Sequence, residues 1–170
     1  LTVRGFNEAW YRKAPKHREG ELQTIAAFFH PLDGVQDWNR IYGPSGFLQY
    51  QFVVPNEAAY LVPRTLEAIR RVGAPSFLTV LKRFGPSNPA PLSFPIPGWT
   101  LAADVPAAAP GLLETLDQLD QEVAEAGGRL YLAKDSRCKK NIFARMYGAS
   151  LDSVFDSSRK FHSDMLSRLE

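Results

Sequence analysis

A dense polar cluster follows an apolar run in the C-terminal third of the sequence. Lys134, Asp135, Ser136 and Arg137 stand in succession at the end of a predicted strand, a position where functional side chains tend to gather. Two interpretations stay open from the pattern alone. The cluster could be an exposed turn with a local ion pair, which adds little stability. Alternatively, its lysine could be a positioned cation that faces a negative cofactor or a developing oxyanion.

Two glutamines stand two positions apart in a segment of alternating character. Because successive side chains of a strand point to opposite faces, Gln49 and Gln51 share one face with Phe47 and Val53. Each amide offers a donor and an acceptor, which suits carbohydrate hydroxyls held in a mostly apolar pocket. The pair therefore indicates a site for a hydroxyl-rich ligand; the alternative is an ordinary solvated sheet face.

A lysine interrupts the apolar side of another predicted strand. Lys82 falls on the same side as Leu78, Val80 and Phe84. Burial of an unpaired ammonium is costly, so such a position needs an anion, a pocket or a route to solvent for the side chain. A pocket cation is one interpretation, and a lysine that reaches solvent at a sheet edge or pairs with a carboxylate is the other.

Several patterns of catalytic or metal sites are absent from the sequence. His17, His30 and His162 have no helical or strand spacing to one another, so we expect no metal site. The lone cysteine, Cys138, cannot form an internal disulfide and has no recognisable nucleophile setting. There is no GxSxG, P-loop or GxGxxG motif.

Charge and hydropathy narrow the function classes further. The 20 Lys and Arg residues are scattered and the net charge is only +2, so we expect no nucleic-acid partner. No apolar run reaches the roughly 20 residues of a membrane span, and the N-terminus carries no signal pattern. We therefore expect a cytoplasmic or cell-envelope-associated location, and the start at Leu1 is typical of a chain entered midway.

The apolar spacing predicts an α+β domain. Alternation and short apolar runs predict strands, and four-residue and three-residue spacing predicts helices. The strands are expected at Gly46–Val54, Phe77–Phe84, Trp99–Val105 and Leu130–Lys134, with helices at Asn56–Val72 and Leu112–Val123. This order is the split βαβ pattern of ferredoxin-like folds, so we expect an antiparallel sheet with helices on one face.

The flanking segments carry weaker signals. The run from Leu22 to His30 predicts a strand, and Asp33 predicts the cap of a short helix ending near Gly43. After Lys134 the sequence turns polar, and short helices are expected at Lys139–Tyr147 and Ser163–Leu169. These helices are too short to form a core alone, so they should pack on another element.

Several longer strings are more specific than these single positions, and together they cover nearly the whole chain in order. The chain resembles FAD-linked oxidases of the vanillyl-alcohol oxidase type. The strings are WYRKAP at Trp10–Pro15, FFHPLD at Phe28–Asp33, WNRIYGPSGFLQYQFVVP at Trp38–Pro55, APLSFPIPGW at Ala90–Trp99, GRLYLAKDSR at Gly128–Arg137 and SDMLSRLE at the end.

The resemblance implies a substrate-side portion of a two-domain flavoenzyme. Residues 1–128 would form a partial substrate, or cap, domain, and residues 129–170 would return to complete an FAD-binding domain that lies mainly outside this chain. The implied reaction oxidises a secondary hydroxyl of a sugar or lipid-linked sugar with hydride transfer to FAD. A separate NADH-dependent short-chain reductase would be a partner, and the fragment alone would be inactive.

The resemblance also implies site residues. Lys134 matches a lysine at the flavin and substrate, Tyr131 would contact the cofactor, and Gln49, Gln51 and Lys82 match substrate-pocket residues. Three further pocket positions depart from the family pattern. Phe29 stands where a mycobacterial member has tyrosine, and Thr100 and Ala102 replace an asparagine and a cysteine. The interval between Asp152 and Asp156 is also shorter than usual.

Two alternatives remain beside this hypothesis. One is an oxidase of the same superfamily that acts on an aldonolactone or another polyol. The other is a flavin-free ferredoxin-like binding module, in which Gln49, Gln51 and Lys82 would face bulk solvent. A polyprenyl substrate would need an apolar groove and a site for phosphate, for which Lys82 is the nearby candidate.

Overall fold

The computed structural model describes residues 3–30, 36–37, 40, 43–148 and 163–169. Contacts divide the chain into two units, Leu1–Trp38 and Asn39–Glu170. The helix predicted after Asp33 falls mostly outside the described residues, and so do His162 and the interval from Asp152 to Asp156. None of the described helices is long and apolar enough to cross a membrane.

The first unit contains two helices, α1 at Val3–Lys13 and α2 at Ile25–Phe29. The strand predicted from Leu22 to His30 is wrong, because its apolar residues form α2. The Thr24 hydroxyl accepts a hydrogen bond from the Ala27 N–H at 3.2 Å and caps the helix. An uninterrupted short apolar run fits a helix or a strand equally well, and here the local cap and helical hydrogen bonds prevail.

The second unit is built on a four-stranded antiparallel sheet, and the ferredoxin-like prediction is confirmed. Its strands lie in the order β2-β3-β1-β4, with α3 connecting β1 to β2 and α4 connecting β3 to β4. The elements are β1 at Phe47–Pro55, α3 at Leu61–Arg71, β2 at Thr79–Phe84, β3 at Gly98–Pro106, α4 at Leu112–Glu125 and β4 at Arg129–Leu130.

The hydrophobic core lies between the sheet and its two helices. Phe52 and Val54 of β1 are fully buried, and α4 contributes Leu116, Leu119 and Val123 to the same core. Each such side chain contributes about 1.5–3 kcal/mol on burial. Since residues two apart share a face, this packing leaves the alternate positions of β1 on the opposite face of the sheet.

Two predicted elements differ in extent from the structure. The helix expected at Asn56–Val72 is a 3-10 turn at Asn56–Ala58 followed by α3, with Pro63 tolerated in the first turn of α3. The strand expected at Leu130–Lys134 pairs only at Arg129–Leu130 and then becomes a 3-10 turn at Leu132–Lys134. The turn closes through hydrogen bonds within itself, which replace the ladder of a longer strand.

The short helices predicted near the C-terminus are confirmed. They are α5 at Lys140–Tyr147 and α6 at Asp164–Leu169. The Arg168 guanidinium of α6 contacts the carboxylate of Asp135 at 2.9 Å and the carbonyl oxygen of Cys138 at 3.1 Å. This helix therefore packs against the segment that follows the 3-10 turn, as its small size requires.

Gly128 allows β4 to approach β1 and α4 closely. A Cβ at this position would lie 2.5 Å from the Val53 carbonyl oxygen and 2.8 Å from Val123 Cγ1. We expect Gly128→Ala to lower the free energy of unfolding by about 1–3 kcal/mol, because the core must shift to admit the methyl group. Urea unfolding measures this change. Gly148→Ala is the control, since no atom of the described residues lies within 4 Å of its Cβ; equal stability of the two variants would contradict the prediction.

Candidate functional site

Five of the residues implicated by sequence lie on the face of the sheet opposite the helices. In the register of β1 and β3, Gln49 pairs with Asp104, Gln51 pairs with Ala102 and Val53 pairs with Thr100. In the register of β2 and β3, Lys82 pairs with Thr100. Because paired residues share a face, one surface, the polar sheet face, carries Gln49, Gln51, Lys82, Thr100 and Ala102.

Both glutamine amides bind side chains of β3. Gln49 Nε2 donates to Asp104 Oδ1 at 2.9 Å, and Gln51 Nε2 donates to Thr100 Oγ1 at 3.2 Å. Thr100 and Asp104 are buried, whereas the two glutamines are half-buried. The amides are therefore held in place by groups beneath them and are not a loose solvated row.

Lys82 lies on β2, the edge strand of the sheet, and its side chain is exposed. The predicted side of the strand is confirmed by its pairing, but the lysine is not buried among apolar neighbours. In the part of the chain that the structure describes, its ammonium has no ion-pair partner. Lys82 therefore reaches solvent at the sheet edge.

The two glutamines also border a cleft that contains the residues after β4. This cleft is lined by Gln49, Gln51, Tyr131, Lys134 and Arg137, among others. The Tyr131 N–H donates to the Gln51 carbonyl oxygen at 2.9 Å, and the Lys134 N–H donates to the Tyr131 carbonyl oxygen at 3.0 Å. The 3-10 turn thus brings Lys134 and Tyr131 to the strand that carries the glutamines.

Within the polar cluster after β4, the charged residues have different surroundings. The carboxylate of Asp135 accepts from the backbone N–H groups of Arg137 and Cys138 and contacts Arg168. For Lys134, which is half-buried, there is no ion pair among the described residues. Asp135 therefore shapes the turn through its backbone contacts.

Arg137 is the centre of a partly buried ion-pair network that the sequence did not predict. Its guanidinium makes two contacts with Asp120, at 2.8 and 2.9 Å, and one with Asp117 at 3.0 Å. It also lies 5.4 Å from the centre of the Tyr50 ring. Burial raises the pKa of Asp120, and Arg137 opposes that shift by stabilising the carboxylate. Arg137 fixes the cleft wall to α4.

Tyr131 packs against the proline-containing loop that precedes β3. Its ring lies 4.7 Å from that of Phe94, which also contacts Phe84 edge-on at 5.7 Å. The Arg129 guanidinium donates to the Ser93 carbonyl oxygen of the same loop. Through Phe94 the loop therefore links Tyr131 to Phe84 of β2.

Phe29 belongs to the Leu1–Trp38 unit. Its side chain is 67% exposed and contacts Phe28 edge-on at 5.0 Å. Its predicted pocket role stays a prediction. Among the described residues, no group of three or more His, Cys, Asp or Glu could hold a metal ion.

Asp104 is the residue of the polar sheet face that the sequence reasoning missed. It stands within β3, where its neighbours Ala103 and Val105 belong to the core. The available signal was an acidic residue inside an apolar strand, in phase with Thr100 and Ala102. A buried carboxylate needs a hydrogen-bond partner, and the Gln49 amide provides one.

Comparison with curated proteins places this chain beside an oxidase. Over its whole length the chain is 47% identical, across 175 aligned positions, to decaprenylphosphoryl-beta-D-ribose oxidase of Mycolicibacterium smegmatis (strain ATCC 700084 / mc(2)155). The resemblance to an oxidase inferred from the sequence strings is thereby confirmed. No family model matches the chain.

A second relative is an uncharacterized protein in the mprA 5' region of Streptomyces coelicolor. It is 37% identical over 164 residues, which cover 94% of this chain. The chain spans 38% of the oxidase and 44% of the Streptomyces protein, less than half of either. These similarities assign no role to a single side chain, so the roles of Lys134, Tyr131 and the sheet residues stay predictions.

Proposed function

We propose that this chain is the substrate-side part of an FAD-dependent oxidoreductase that oxidises a secondary hydroxyl of a sugar or lipid-linked sugar. The observation that carries the proposal is the 47% identity to decaprenylphosphoryl-beta-D-ribose oxidase over the whole chain. The clustering of Gln49, Gln51, Lys82, Thr100 and Ala102 on one sheet face supports it. Residues that the sequence had singled out separately therefore lie on one face of the sheet.

The chemistry of the donor set fits a flavin beside this surface. Lys134 offers an ammonium without an ion-pair partner among the described residues, and Tyr131 offers an aromatic ring in the same cleft. A cation suits the electron-rich edge of a flavin and the oxygen of an alcohol that loses its proton. FAD, when bound, supplies the acceptor for the hydride. The chain's own residues orient the sugar and stabilise negative charge.

Gln49 and Gln51 would hold the sugar through its hydroxyls. The small side chain of Ala102, on β3, would leave space beside them. Lys82 would meet the phosphate of a lipid-linked substrate at the rim. The ketone product would be the substrate of a partner NADH-dependent reductase. The remaining flavin contacts would come from an FAD-binding domain outside this chain.

Two alternatives make different predictions. An aldonolactone or polyol oxidase would use the same polar sheet face but would need no phosphate contact, so Lys82→Ala would not change its kinetics. A flavin-free binding module would bind polyols without any flavin domain encoded upstream of Leu1. Whether the reading frame that contains this chain also encodes a flavin-binding domain distinguishes the flavin-free module from the oxidase.

The proposal predicts that FAD binding requires more than this chain. Expressed as the full reading frame, the protein should purify with bound yellow flavin that bleaches when a prenylphosphoryl ribose is added under anaerobic conditions. The 170-residue chain should bind FAD weakly or not at all, because it supplies only one wall of the site. Absorbance at about 450 nm and calorimetric titration with FAD measure both properties.

Either of two results would contradict the proposal. Tight stoichiometric binding of FAD by residues 1–170 would show that the flavin site is complete without another domain. A full-length protein that binds FAD but is reduced by no sugar alcohol, with or without a prenylphosphoryl group, would exclude the proposed reaction.

A further inference from the structure

We infer that Asp104 is a positioning residue that orients the Gln49 amide, so that the polar sheet face accepts hydrogen bonds from ligand hydroxyl groups. The inference rests on the proposed function and specifies which hydrogen-bonding atoms the site presents to its ligand. Asp104 was not among the residues implicated by sequence, and it lies directly opposite Gln49 in the pairing of β1 and β3.

The carboxylate decides which end of the amide faces it. An ionised aspartate accepts hydrogen bonds and donates none, so the group of Gln49 that approaches Asp104 Oδ1 at 2.9 Å must be the NH₂. The amide is planar, and its oxygen therefore points away from Asp104. A glutamine without such a partner could present either end; this one presents its oxygen.

The burial of Asp104 makes this orientation firm. Its exposed fraction is 3%, whereas Gln49 is half-buried. A buried carboxylate that lost this donor would lose part of the hydrogen bonding that offsets its desolvation, so Asp104 opposes rotation of the amide. Charge-assisted hydrogen bonds are also shorter and stronger than neutral ones. Asp104 thus holds an amide whose other end remains available.

Gln51 has a neutral partner, Thr100, which is 1% exposed. Its Nε2 donates to Thr100 Oγ1 at 3.2 Å. A hydroxyl can donate as well as accept, so this contact does not impose an orientation on the Gln51 amide as Asp104 does on Gln49. The Cα atoms of the two glutamines lie about 6.6 Å apart, from a rise of about 3.3 Å per residue. The oriented acceptor oxygen of Gln49 therefore stands next to a second amide on the same strand.

This polarity defines the ligand class at Gln49. Amide oxygens accept from hydroxyl groups, but they repel phosphate and carboxylate oxygens and receive nothing from a ketone. We therefore assign this part of the face to the hydroxyl-bearing ring of the sugar. Any phosphate must lie elsewhere, on the side of a cation.

The test is a double-mutant cycle in the full-length enzyme, with a short-chain prenylphosphoryl ribose as the probe. Asp104→Leu keeps the shape but removes the acceptor, and it should raise KM about tenfold while kcat changes less than about threefold. Asp104→Asn retains an acceptor oxygen and should stay within about threefold of the wild-type KM. In a Gln49→Leu background, Asp104→Leu should have no further effect, because there is no amide left to orient.

A structural role would give a different pattern. If Asp104→Leu raised KM by the same factor with and without Gln49, or if Asp104→Asn were as impaired as Asp104→Leu, the positioning role would be overturned. Failure of the wild-type enzyme to oxidise the probe would instead overturn the proposed function, and this inference with it.

A second arm does not depend on the folding of Asp104→Leu. Gln49→Glu places two carboxylates side by side and should raise KM by about tenfold or more. Asp104→Asn in that background restores a donor to the new carboxylate and should recover at least about threefold. No recovery would overturn the inference.

Discussion

Lys134→Ala in the full-length protein is expected to slow flavin reduction by the sugar substrate about 10²–10³-fold. This is the effect of removing one preorganised group that stabilises developing negative charge. Lys134 lies in the cleft with Gln49 and Gln51 and has no ion pair among the described residues, so its charge is available for that purpose. Stopped-flow absorbance under anaerobic conditions measures the rate, with FAD content determined in the same samples.

Lys140→Ala is the matched control. Lys140 is exposed at the first turn of α5, six positions further along the same polar segment, and its loss should leave the rate within about twofold. Lys134→Arg tests the requirement for charge and should keep more activity than Lys134→Ala. Normal flavin reduction by Lys134→Ala would remove Lys134 from the proposed reaction.

Arg137→Met is expected to lower the free energy of unfolding by about 3–5 kcal/mol. The substitution leaves the Asp120 carboxylate, whose side chain is 2% exposed, without the guanidinium that contacts it at 2.8 Å. Urea unfolding of the 170-residue chain measures the change. The deficit should be smaller at pH 4 than at pH 7, because a buried acid without its cation avoids the cost by protonation.

The sign of this pH dependence follows from the direction of the pKa shift. Burial raises the pKa of Asp120 in the folded state above its ordinary value, and loss of Arg137 raises it further. Between the unfolded and folded pKa values the native state binds more protons, so stability falls as the pH rises through that window. A deficit that grew on acidification would contradict this account.

Arg64→Met is the control for Arg137→Met. The Arg64 guanidinium contacts Glu122 at 2.9 Å, but the two side chains are 44% and 32% exposed. We expect a loss of no more than about 1 kcal/mol from this exposed pair. The double variant Arg137→Met, Asp120→Leu should recover most of the stability lost by Arg137→Met. Absence of recovery would show that the guanidinium acts through its other contacts.

Local pattern was enough to predict the sheet and the positions of the glutamines on it. The alternation around Gln49 and Gln51 reports directly which side chains share a face, and that information requires no knowledge of the neighbouring strand. For Lys82, the same pattern left two interpretations open, a pocket cation and a lysine that reaches solvent at a sheet edge or pairs with a carboxylate. The structure supports the sheet-edge interpretation, because β2 is an edge strand and the lysine is exposed. Strand order depends on the whole chain, so the alternation of one strand could not choose between them.

Two features that the sequence did not predict depend on contacts between separate segments. Asp104 meets Gln49 across 55 positions, and Arg137 meets Asp120 across 17. The early end of β4 has a local cause, since the 3-10 turn after Tyr131 competes with further pairing to β1. The strand predicted at Leu22–His30 was wrong for a different reason: a short, uninterrupted apolar run has no periodicity that distinguishes a helix from a strand.

The 3-10 turn at Leu132–Lys134 has two fixed ends, and this has a mechanical consequence. On one side, the Tyr131 N–H is bonded to β1, and on the other, Arg137 is clamped to Asp120 of α4. Lys134 is carried on the short bridge between these anchors. A shift of α4 relative to the sheet would therefore be transmitted to the segment that carries Lys134.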